Sequence, residues 1–91
     1  MLGEIDELLA ELRRIPSSPP GTESEFAELL VRVKGVAGRW ADVLDQVRES
    51  AGGLAGARAA AALEIAFRKA EESYVELEIA HRDCAEHTRR G

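Results

Sequence analysis

The chain has 91 residues and a mass of 9.9 kDa, with 17 acidic against 12 basic side chains, a net charge of −5 and a pI near 5.0. This length holds one domain at most, and the acidic balance excludes the basic stripe by which nucleic-acid binders displace phosphate counterions. A single cysteine excludes an internal disulfide, and no Cys/His ligand set suggests structural zinc.

The first predicted element is a short amphipathic helix within residues 1–15. Leu2, Ile5, Leu8, Leu9, Leu12 and Ile15 recur at three-four spacing, and Glu4, Asp6 and Glu7 precede Arg13-Arg14 in the order a helix dipole favours. A helix this short is marginal alone and must dock on something. Residues 16–21, with Pro16, Pro19, Pro20 and Gly21, read as a linker, because proline removes a donor and pushes the residue before it toward extended backbone.

Residues 22–91 are expected to form an antiparallel helical hairpin with its turn at 51–53. Thr22-Glu23-Ser24-Glu25 fits a capping box at the start of the second helix. Phe26, Val33, Trp40 and Val47 then repeat every seven residues, a heptad seam expected to form the core. Gly35 and Gly38 interrupt it at a propensity cost of about 1 kcal/mol each, which points to close approach by another helix. Ala51-Gly52-Gly53 is a helix stop. The third helix is expected from Leu54 to Arg89, with Leu63, Phe67, Ala70, Tyr74, Leu77, His81, Cys84 and Thr88 along its seam.

A turn near residue 52 sets positions whose numbers sum to about 105 across from each other. Trp40 then faces Leu63 to Phe67, and Phe26 faces Leu77 to His81. The linker is expected to return the first helix to the open end, over Phe26, Leu30, Tyr74 and His81. The fold class is therefore all-α: a hairpin of two long helices plus a short N-terminal helix, as a three-helix bundle or a dimeric helical bundle.

Candidate chemistry is confined to Glu78-x-x-His81-x-x-Cys84-x-x-His87. Glu78 and His81 are half of a ferritin-like metal site, which also needs carboxylates from facing helices. Here only Glu23, Glu25 and Glu28 could face them, and a second Glu-x-x-His would have to come from another chain. The expected role of His81 and Cys84 is to fill seam positions, with no metal and no cofactor. Cys84 has no readable oxyanion hole, and Arg32, Lys34, Arg39 and Arg48 do not share the inward face that an all-helical chorismate mutase requires. No catalytic residue is expected.

The hairpin also resembles the WXG family of type VII secretion substrates. Tyr74-Val75-Glu76-Leu77-Glu78 matches that family's Tyr-x-x-x-Asp/Glu export signal on the second helix. The defining Trp-x-Gly turn is absent, since Ala51-Gly52-Gly53 occupies the turn and Trp40 precedes it by more than ten residues. The resemblance implies a hairpin exported without a cleavable signal peptide and paired with a second small helical protein.

The leading expectation is a non-enzymatic interaction module. A third helix of about 54 Å outruns a second helix of about 42 Å. Ile65, Val75 and Ile79 lie off its main seam and mark an expected interaction surface. The partner is expected to be a second copy or another helical protein. The apolar runs fall far short of the roughly 18–20 residues of a membrane span. Four carboxylates in the first fifteen residues fit neither a secretory nor a transit segment, so the expected location is cytoplasmic.

Overall fold

Three helices, α1 (Leu2–Arg13), α2 (Glu23–Ser50) and α3 (Ala57–Arg90), build the fold in this computed structural model, which describes residues 2–90. Met1 and Gly91, together with the stripe and seam positions expected of the Leu2 and Thr88 side chains, lie outside the described residues. All the regular structure among them is helical. The chain is an antiparallel α2–α3 hairpin with α1 packed against α2.

The start of α2 is set locally. Thr22 is extended (φ −135°, ψ 163°), and its Oγ1 accepts from the Glu25 amide at 3.0 Å. Glu25 reaches back one residue further than the usual reciprocal bond, accepting from the Gly21 amide at 2.9 Å. Replacing Thr22 with alanine removes the first of these bonds. The expected cost is about 1 kcal/mol, read as a lower thermal midpoint, and an unchanged midpoint would show that the Glu25–Gly21 bond suffices.

At the other end, α2 stops at Ser50, the Ala51 amide closes onto the Val47 carbonyl at 3.1 Å, and Gly53 takes φ +80°. That left-handed backbone is one that glycine adopts without Cβ strain. The connection then runs through residue 56, and Leu54 and Ala55 belong to it and not to α3. The Leu54 and Ala55 amides both bond back to the Ala51 carbonyl, at 3.0 and 2.9 Å, which is why these residues extend the turn.

This longer turn changes the register. Arg48 meets Glu64, Gly38 meets Tyr74, and Glu23 meets His87, so facing positions sum to about 110–112 and not 105. Phe26 therefore neighbours Cys84 and His87 at the open end, instead of Leu77 to His81. The level of Trp40 falls beyond the expected Leu63 to Phe67. The extra length of α3 is divided between the two ends, three to five residues beside the turn and one to three at the open end.

The position of α1 also differs from expectation. Glu7 Oε2 lies 2.7 Å from Arg39 Nη1, and Glu11 lies over Gly35, so α1 runs antiparallel along the middle of α2. No Cα of α1 comes within 8 Å of α3. The seven residues from Ile15 to Gly21 lead from its far end straight into α2, and the α1 partners Gly35 and Arg39 lie roughly three to four turns inside that helix. Ala41 and Val43, which point to different sides of α2, are both buried, as a helix with neighbours on both flanks requires.

The result is a flat layer with α2 in the middle. Its extents are 53 × 23 × 16 Å and its radius of gyration is 16.0 Å. A compact chain of this length has a radius of about 12 Å. Among the described residues only Ala41, Val43 and Ala70 are buried, and no large side chain is fully enclosed. The seam expected to form the core is corrected accordingly. Phe26 and Trp40 are exposed, Trp40 at 47%, while Val33, Val47, Phe67 and Tyr74 are half-buried. The physical reason is phase: α1 and α3 occupy the two flanks of α2, and the heptad stripe falls between them.

Candidate functional site

The residues proposed for metal chemistry do not converge. The carboxylate of Glu78 accepts from Arg82 Nη2 at 3.0 Å, one turn away on the exposed side of α3. His81 and Cys84 are half-buried on the side turned toward α2. His87 Nε2 lies 3.5 Å from Glu23 Oε1 across the hairpin, both of them exposed. Nine residues of α-helix carry Glu78 and His87 to different sides. Among the described residues no group of three or more His, Cys, Asp or Glu side chains is placed to hold a metal ion.

Two shallow clefts lie among the described residues. One, of about 450 Å³, sits at the open end between Pro20, Glu23, Phe26, Cys84 and His87. The other, of about 480 Å³, lies over the two helix-interior glycines and is bordered by Glu11, Arg39, Asp42, Glu71 and Tyr74. Three of its four charged side chains are already paired: Arg39 bridges Glu7 and Asp42, and Glu11 pairs with Arg14 at 3.3 Å. Both clefts are open to solvent, whereas a substrate pocket buries most of its ligand.

Tyr74 packs its ring over Gly38, where a Cβ would stand 3.3 Å from Tyr74 Cε2, and Lys34 Nζ lies 6.0 Å from the ring centroid. The tyrosine of the export-signal pattern is thus half-buried against α2, and its acidic partner Glu78 is engaged with Arg82. The two interior glycines do what their positions suggested. Gly38 admits the α3 ring, and Gly35 admits the Glu11 carboxylate of α1.

One polar cluster escaped the sequence reading. Arg48 donates to Asp45 on its own helix and, at 3.0 Å, to Glu64 on α3, with its guanidinium 4.7 Å from the Phe67 ring centroid. The hydrogen bonds to Asp45 and then Glu64 hold the guanidinium charged well above its ordinary range. Its Nε is buried with no hydrogen-bond partner. This cluster pins the register of the hairpin near its closed end. Asp45 and Arg48 are visible in the sequence as an i,i+3 pair, but Glu64 enters only once the turn length has set the register.

Against this weak polar relief stands a large apolar surface. Ile5, Leu9, Leu12, Phe26, Val31, Trp40, Leu54, Ile65, Val75 and Ile79 are all exposed. The three residues expected to form an interaction surface, Ile65, Val75 and Ile79, are each a little over half exposed on α3, and Val75 borders the cleft over Gly35 and Gly38. Val75 is set among Arg68, Glu71, Glu72 and Glu76, and Ile79 among Arg82, Asp83 and Glu86. A stripe repeated every seven residues marks an apolar face, whichever element covers it.

No protein-family model, curated protein or solved structure compared with the chain matches it. Among the described residues no helix is long and apolar enough to cross a membrane.

Proposed function

We propose that this protein is a non-enzymatic helical association module, acting through pairing of its helices with a second copy or with another helical protein. The observation that carries the reading is its incomplete interior. Three small or medium side chains are buried while ten large apolar ones are exposed. The accessible surface is 6454 Å², whereas a compact monomer of this mass exposes about 5,200 Å². Large apolar side chains exposed in this number are ordinarily removed from water by association. The absence of a convergent polar site among the described residues supports a binding role over a catalytic one.

Light scattering over a hundredfold concentration range tests the reading directly. The expected mass exceeds the 9.9 kDa of one chain and falls toward it on dilution. A single-chain mass throughout, accompanied by a sharp, concentration-independent thermal transition, would sink the reading, because such a chain needs no partner to complete its fold.

A further inference from the structure

We infer that a second copy of this chain covers the α2 face built on Phe26, Val33, Trp40 and Val47, and that the two copies meet there about a twofold axis with their α2 helices antiparallel. The inference rests on the association reading above and goes further, naming the face and its occupant.

Geometry singles out the face. With α1 bound on the Gly35–Arg39 flank of α2 and α3 on the Gly38–Arg48 flank, one side of α2 is left open. By helical phase that side carries Phe26, Leu29, Val33, Val36, Trp40, Leu44 and Val47, without a single charge. The exposed Ile5 and Leu12 of α1 extend it on one edge, turned away from the Glu7 and Glu11 carboxylates that mark the other side of the layer.

Charge decides among the surfaces. Each copy carries −5, so two copies can approach closely only through neutral ground. The cleft side of the layer presents Glu11, Asp42 and Glu71 beside Arg39 alone, and the outer edge of α3 sets Val75 and Ile79 among five carboxylates and two arginines, so both surfaces are net acidic. A symmetric contact at either place brings like charges together, at a cost in affinity. The Trp40 face brings none.

Area and shape then favour a second copy. The surface excess over a compact monomer is roughly 1,250 Å² per chain, or about 2,500 Å² for a pair, within the range of obligate homodimers. A twofold axis passing between Val36 and Ala37 sets each Trp40 against the other chain's Val33, and each Phe26 against its Val47. Both aromatic side chains meet a valine, and Leu29 meets Leu44, which is the kind of complementarity that packing knobs into holes requires.

The test uses the full chain, with mass by light scattering and emission from Trp40, the only tryptophan. The wild type is expected to be a dimer whose emission shifts to longer wavelength on dilution. W40E is expected to weaken self-association at least about 100-fold, since it places a charge at the centre of the interface. I79E, on the charged edge of α3, is expected to leave mass and emission unchanged. V33W sets two indoles against each other and is expected to dissociate the pair. The double variant V33W/W40V restores the large-to-small pairing and is expected to restore the dimer, which guards against W40E or V33W simply unfolding.

A dimer that I79E breaks and W40E leaves intact would overturn the choice of face while leaving the association reading standing. A dimer that the double variant fails to restore would overturn the antiparallel twofold arrangement. A wild-type monomer with concentration-independent emission would overturn the second copy as the occupant.

Discussion

The melting midpoint of this protein is expected to rise by about 7 °C over a hundredfold increase in concentration, because the proposed pairing makes folding and association one equilibrium. The argument begins from burial. With Ala41, Val43 and Ala70 as the buried side chains among the described residues, the isolated chain removes little apolar surface from water. Two of those three are alanines, whose side chains contribute little each, while ordering the backbone costs about 1–2 kcal/mol for every residue. For a dimer that unfolds to two chains, each tenfold change in concentration moves the balance by about 1.4 kcal/mol. The unfolding entropy of the pair is about 0.4 kcal/mol per kelvin, from the usual value per residue. The quotient is between 3 and 4 °C per tenfold, roughly. Calorimetry or far-ultraviolet dichroism at several concentrations measures it. A midpoint that does not move would show that the three-helix layer is stable without a partner.

Substitution of the two glycines inside α2 is expected to give opposite signs. At Gly35 an added Cβ would stand 2.8 Å from Glu11 Oε2, the far end of a flexible side chain that can swing away. Gly35→Ala then recovers helix propensity, about 0.5–1 kcal/mol, and raises the midpoint by roughly 3–5 °C. At Gly38 the neighbour is the Tyr74 ring, held between helices at 3.3 Å from the same position. Gly38→Leu drives several further atoms into that ring. Overpacking of this kind costs typically 1–3 kcal/mol, which outweighs the propensity gain. The expected outcome is a midpoint lowered by roughly 5–10 °C. Tyr74→Ala in the same chain makes room, so the double variant is expected to lose less than the two single changes together. Strict additivity would show that Gly38 does not owe its place to that ring.

The candidate site was half legible in the sequence. Heptad spacing identified Phe26, Val33, Trp40 and Val47 as one apolar stripe, and the structure keeps them on one side of α2. The stripe was read as a core seam because a hairpin partner was expected to lie on it. Glu78, His81, Cys84 and His87 drew notice by spacing alone. Spacing along a helix fixes which neighbours adjoin but says nothing of what faces them, and here Arg82 and Glu23 take up two of the four.

What the chain determines by itself is local. The three helices, the Thr22 cap, the proline linker and the left-handed glycine after α2 each depend on residues within a few positions of one another, where side-chain chemistry and backbone sterics act directly. Tertiary structure decided the rest. The hairpin register moved because Leu54 and Ala55 joined the turn, which shifted every α3 residue along α2 by about two turns. The flank taken by α1 was chosen by Arg39 meeting Glu7 and by the space over Gly35. Periodicity shows that a face must leave water, but the burial that removes it is shared among elements distant in sequence. That is why Trp40, at the centre of the most regular stripe in the chain, lies in the open.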